Sequence, residues 1–179
     1  MRRLRVLLNL KTLKNMKNAN RISCVALIFA LTTAFNMMLG WHTHRVAGVQ
    51  VWLPDNWRIE MPKPGYLAAT SPDDEVYVGY IVSSALEMDA TLDGLEEQLK
   101  GLIEDAKFDK THDDFSLNGM PAWGFGGTGT YHGQPVEMRI ELIYTPKKKV
   151  LIMVVVGSHA GLEHHLDEVK TIMRSVRKA

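Results

Sequence analysis

From Val46 to Leu53 the chain alternates, with Val49, Val51 and Leu53 on one side, which is the two-residue period of a half-buried strand. Pro54-Asp55-Asn56 turns it. Short strands are expected at Trp57–Met61 and Tyr66–Thr70 and, after the turn Ser71–Asp74, at Glu75–Ser83. The period then changes. Leu92, Leu95, Leu99, Leu102, Ile103 and Ala106 recur at helical spacing and predict a helix over Thr91–Lys107, with Asp93, Glu96 and Glu97 near its positive end and Glu96–Lys100 as an i,i+4 pair.

Strands resume at Phe115–Leu117, where Asn118-Gly119 supplies the positive φ angles of a tight hairpin, and at Met120–Tyr131. His132-Gly133-Gln134 makes another turn. Val136, Met138, Ile140, Leu142 and Tyr144 share one face while Arg139 and Glu141 take the other, which predicts an antiparallel strand with one wet side. Lys147-Lys148-Lys149 turns into Val150–Val156, a continuous apolar run expected to be the most deeply buried strand. Leu162, Leu166, Val169, Ile172, Met173 and Val176 predict a final helix over Leu162–Val176, with Arg174, Arg177 and Lys178 at its negative end. The fold class that follows is α+β, an antiparallel sheet of about six to seven strands covered by two helices.

Residues 22–40 contain no charge and follow seven basic side chains, Arg2 to Arg21, without an acid among them. That is the pattern of an export segment over 1–40, either a cleaved signal or an anchor, in which Met16 offers an alternative start with a leader of ordinary proportions. Residues 41–45 then read as a linker and 46–177 as a single domain. Cys24 is the only cysteine, so no disulfide framework exists, and Arg21-Ile22-Ser23 before it does not make a lipobox. The expected location is the periplasm, with membrane contact only through an uncleaved N-terminal segment.

The net charge of +1 over 179 residues hides an asymmetry, because beyond residue 40 there are 14 basic against 20 acidic side chains. An acidic domain without a basic stripe argues against a nucleic-acid partner.

Candidate chemistry is sparse. Gly124-Phe125-Gly126-Gly127-Thr128-Gly129 lacks the Lys-Ser/Thr of a phosphate loop and reads as a bent strand. Ser158-His159 is not a nucleophile elbow, and Ser158 reads as a helix N-cap. His159, Glu163 and His164 do not have H-E-x-x-H spacing and read as a solvated face; His42-Thr43-His44 falls in the linker; Asp73-Asp74-Glu75 and Asp113-Asp114 read as turns. Trp57 and Trp123 read first as core. No catalytic residue, cofactor or metal is therefore expected.

The chain resembles the PsbP-like (Mog-type) superfamily. The residues that carry the likeness are Val51-Trp52-Leu53-Pro54-Asp55-Asn56-Trp57, the hairpin Asn118-Gly119-Met120-Pro121-Ala122 and the end Ile172-Met173-Arg174-Ser175-Val176. The resemblance implies an α/β/α sandwich used by photosystem extrinsic subunits, a Ran-binding protein and bacterial envelope lipoproteins or adaptor chaperones, proteins that mostly bind other proteins. It brings no catalytic residue to carry over.

The expectation is a non-enzymatic envelope protein that binds a protein or peptide partner through Trp123, Gly126, Gly127 and Tyr131, where glycine bares the backbone and aromatics supply anchors. The competing expectation is a small-ligand carrier or an enzyme whose site is assembled from scattered polar residues, which calls for a deep cavity lined by His112, His132 or the acids.

Overall fold

The computed structural model describes residues 40–95, 99, 103–109 and 111–179. All but Gly40 of the expected export segment, residues 1–40, and the Glu96–Lys100 pair lie outside the described residues.

Eight strands form an antiparallel main sheet: β3 (Arg58–Glu60), β4 (Tyr66–Thr70), β5 (Val76–Val82), β6 (Glu104–Phe108), β7 (Asp113–Leu117), β8 (Met120–Tyr131), β9 (Gln134–Tyr144) and β10 (Val150–Gly157). Their spatial order is β3-β4-β5-β10-β9-β8-β6, with β7 also paired to β8. A second, three-stranded sheet is made by β1 (Trp41–His44), β2 (Val49–Trp52) and β11 (Arg177–Lys178), with β2 in the middle. The helices among the described residues are α1 (Met88–Asp93), α2 (His159–His164) and α3 (Leu166–Ser175).

Alternation along the strands builds two cores. Leu67, Val78, Tyr80, Ile143, Leu151, Met153 and Val155 face the small sheet and α3, where Val49, Val51, Val169 and Ile172 close over them. Their neighbours Met138, Ile140, Leu142, Val150, Ile152, Val154 and Val156 face Leu95 and Leu99 on the other side. All of β10 is buried, as its unbroken apolar run requires.

The hairpin turns match their sequences. Asn118 and Gly119 take φ of 49° and 77°, and His132 and Gly133 take 49° and 75°, the left-handed pair that suits a two-residue turn to the twist of its strands.

The structure departs from the expected elements in several places. The supposed linker is strand from Trp41 to His44, paired to β2, and Val49–Trp52 belongs to the second sheet rather than the main one. The helix expected over Thr91–Lys107 does not reach its expected end, because Glu104–Phe108 is β6 and pairs with β8. With β6 the main sheet has eight strands rather than six or seven.

Strand β9 has no continuous wet side: Glu141 is 5% exposed and Ile143 fully buried, because the layer that covers them comes from remote parts of the chain. The last helix is broken at His165, whose φ of −97° and ψ of 16° separate α2 from α3 and leave Leu166 exposed.

Candidate functional site

The glycine strand expected to dock a partner is β8. Gly127 pairs with Phe108 of β6 and Gly124 with Asp113 of β7. Between them the Gly126 N–H donates to Asp109 Oδ2 at 3.0 Å, and the Asp109 N–H donates to the Gly126 carbonyl at 3.0 Å. The backbone that approaches β8 is thus the chain's own.

A Cβ on Gly127 would come within 2.7 Å of the Lys107 carbonyl, and one on Gly126 within 2.6 Å of Asp109 Oδ2. The glycines admit β6 and Asp109, and no free edge is left at Gly126 or Gly127 for a partner. Trp123 is half-buried and stacks on His112, with ring centroids 4.3 Å apart. Tyr131 lies at the end of β8 beside Tyr77 and His132.

Three other places on the described surface have the shape or chemistry of a site. The largest is a groove of about 600 Å³ where the β1–β2 turn meets the loop between β3 and β4, lined by His44, Val46, Met61, Pro62, Pro64 and Leu67. Val46 and Met61 are 38% and 62% exposed, whereas Leu67 and His44 are buried. His44 Nδ1 accepts the Ala47 N–H at 3.3 Å, so the neutral ring carries its proton on Nε2, a buried atom with the Gly65 backbone beside the ring. Burial lowers the His44 pKa and keeps the ring neutral near pH 7. The groove therefore offers apolar flanks, with the buried His44 ring among its lining.

The second is a cleft of about 480 Å³ bordered by Arg58, Asp74, Glu75, Tyr77, Tyr131 and His132. Arg58 donates to Asp74 Oδ1 at 2.7 Å, and the Tyr77 hydroxyl is hydrogen-bonded to that of Tyr66. Burial, with Tyr66 beside it, pushes the Tyr77 pKa far up, so the phenol stays protonated. His132 and the acids do converge here. His112 does not, being occupied by Trp123.

The third joins residues that the sequence does not connect. Ser71–Val76 is a tight turn in which Asp73 Oδ1 accepts from Ser71 Oγ at 2.6 Å and from the Glu75 N–H at 3.3 Å. Its other oxygen, Oδ2, lies 2.9 Å from His165 Nε2 and 3.7 Å from His164 Nδ1. His165 Nδ1 is 2.7 Å from Glu168 Oε2, one turn along α3. Hydrogen bonds from Ser71 and His165 pull the Asp73 pKa well below the carboxylate range, while at His165 burial lowers the pKa but is outweighed by the combined pull of Glu168 and Asp73, which leaves it raised. Trp57 packs edge-on against the His165 ring at 5.7 Å.

The expected solvated trio thus divides. His159 turns to Glu137 (3.1 Å) and Glu163 (3.6 Å), and His164 turns away to Asp73 and Glu75. Ser158 caps α2 as expected: its Oγ accepts the Gly161 N–H at 3.0 Å, so the hydroxyl is engaged in capping, and the nearest polar partners of His159 are carboxylates.

No protein-family model matches this chain, and no curated protein matches it either. Solved structures do. The cyanobacterial PsbP protein (CyanoP) of Synechocystis sp. PCC 6803 superposes with a TM-score of 0.57 at 10% identity, over 78% of this chain and 91% of that one. LpqN of Mycobacterium tuberculosis, described as involved in cell envelope biogenesis, superposes with a TM-score of 0.51 at 16% identity, over 76% of this chain and 88% of that one. The fold is PsbP-like.

Proposed function

We propose that this PsbP-like chain is a non-enzymatic accessory protein of the cell envelope that holds a protein or peptide partner in the groove between Val46 and Met61. The observation that carries the reading is that groove, with two exposed apolar side chains, Val46 and Met61, above the buried Leu67 and His44. Exposed apolar residues around a concavity favour an apolar anchor from a partner.

Export is supported by the basic, then uncharged, first 40 residues and by LpqN's link to envelope biogenesis. This groove lies at the opposite end of the main sheet from the glycine strand, whose backbone is paired by its own chain.

The test places a photocrosslinking side chain at position 61 in the full chain and irradiates cells. A defined adduct in the envelope fraction, lost on Val46→Asp with an unchanged melting temperature, is the expected result. Recovery of the chain in the cytoplasm, or an adduct indifferent to Val46→Asp, overturns the reading.

A second reading, a small-ligand carrier, has its own observation in the cleft where Arg58, Tyr77, Tyr131 and His132 converge. Native mass spectrometry of chain isolated from its own cells distinguishes it. A bound small molecule that Tyr131→Ala releases favours the carrier.

A further inference from the structure

We propose that the corner where the Ser71–Val76 turn meets the α2–α3 junction is a binding site for a zinc-class divalent cation, with Asp73, Glu75, His164 and His165 as its ligands. One ligand atom from each of these four side chains lies within 4.8 Å of the other three. Two imidazoles and two carboxylates are a donor set that suits zinc and its borderline neighbours better than magnesium or calcium, which prefer oxygen alone.

The geometry is close to what such an ion requires. Zinc–ligand bonds of about 2.0–2.1 Å place tetrahedral ligands roughly 3.3 Å apart. His164 Nδ1 lies 3.7 Å from both Asp73 Oδ2 and Glu75 Oε2, too far for a hydrogen bond and a few tenths from the coordinated spacing, while His165 Nε2 lies 2.9 Å from Asp73 Oδ2.

The surrounding groups orient the inner ones. Ser71 Oγ and the Glu75 N–H engage Asp73 Oδ1, which leaves Oδ2 presented to both histidines. Glu168 holds His165 Nδ1, the carboxylate–imidazole arrangement that fixes a ligating ring's tautomer and directs its other nitrogen at a metal. Binding replaces the direct His165–Asp73 hydrogen bond, and the Nε2 proton leaves to solvent. The ion then fastens the β4–β5 turn to the two terminal helices.

The experiment uses the full chain, purified without a histidine tag and stripped with chelator, titrated with Zn²⁺ by calorimetry and with Co²⁺ by visible absorption. One equivalent of Zn²⁺, the intense absorption of four-coordinate Co²⁺ and a raised melting temperature are expected. His164→Ala and Glu75→Gln, both at exposed side chains that leave the fold intact, should each weaken binding at least about tenfold. Glu168→Gln should weaken it about ten- to a hundredfold without touching the ion. His159→Ala should change nothing, since that ring belongs to Glu137 and Glu163. Absence of binding, binding indifferent to His164→Ala and Glu75→Gln, or an equal loss in His159→Ala overturns the proposal and leaves the corner an ion-paired joint alone.

Discussion

Tyr80 and Glu141 face the same side of the main sheet, each directly beside Met153 in the β5–β10–β9 ladder, and each carries a buried oxygen without a hydrogen-bond partner. A row that continues from Leu67 through Tyr80, Met153 and Glu141 to Gly124 therefore sets a phenol and a carboxyl inside an otherwise apolar layer. Burial pushes the Glu141 pKa up to about 7, against a smaller opposing pull from Arg139.

That shift makes stability fall with rising pH. The folded chain holds the Glu141 proton more tightly than the unfolded chain, whose carboxyl titrates near 4.5. The contribution is full below that value and is lost as pH rises through about 7, on the order of 3 kcal/mol across the window. Urea unfolding of wild type and Glu141→Gln at pH 4.5, 6 and 8 checks it. The variant should gain on wild type steadily from the first pH to the last, and a constant difference would refute the assignment.

Tyr80→Phe tests the other end of the row. Removing a fully buried hydroxyl that has no partner, while the ring keeps its packing, should stabilise the domain by roughly 1 kcal/mol. A loss of similar size in the denaturation midpoint would mean that the hydroxyl is bonded after all.

The glycine strand yields a steric prediction. A methyl at position 127 meets the Lys107 carbonyl at 2.7 Å and Met138 Cγ at 3.1 Å, and backbone cannot yield as a side-chain tip can. Gly127→Ala should cost about 1–3 kcal/mol by overpacking. Gly133→Ala has nothing within 4 Å of its new Cβ, so its loss reports only the φ of +75° and should be smaller. Thermal melts of the two variants side by side decide it.

The hairpins and the buried β10 are legible in sequence because each is fixed by neighbours in the chain: Asn118-Gly119 and His132-Gly133 need no distant partner to set their turns. The groove and the histidine corner are not legible that way. Asp73 and His165 are 92 residues apart, and only the course of β5 and β10, which pair from Val76↔Gly157 onward, brings the turn before one strand against the helix after the other.

Glu141 misleads for a related reason. A carboxylate in an alternating strand signals solvent, and the layer that closes over its side of the sheet here comes from β2 and α3, both remote from β9 in sequence. The helical period that predicts a helix to Lys107 is likewise cut short by pairing with β8, a tertiary demand that local propensity does not contain.

Asn118 does two things at once, and the two can be separated. Its φ of 49° makes the hairpin turn, a task that glycine performs at least as well. Its side-chain Nδ2 also donates to the carbonyls of Arg174 at 2.9 Å and Val176 at 2.7 Å, satisfying acceptors that the end of α3 leaves open. The turn thereby pins the C-terminal helix, and with it the start of β11, to the β7–β8 hairpin. Asn118→Gly keeps the φ and deletes both hydrogen bonds, so it should cost about 1–2 kcal/mol through the helix end alone. Asn118→Asp tolerates the same φ but turns an anion toward two carbonyls at the negative end of a helix, and at pH 7 it should cost more than glycine does. Hydrogen exchange reads the location: amides of β11 and the last turn of α3 should lose protection in both variants, while those of β9 and β10 fall only with global stability. If Asn118→Gly is neutral, or if its loss appears first in β7 and β8, the asparagine serves the hairpin and the helix end needs no pin.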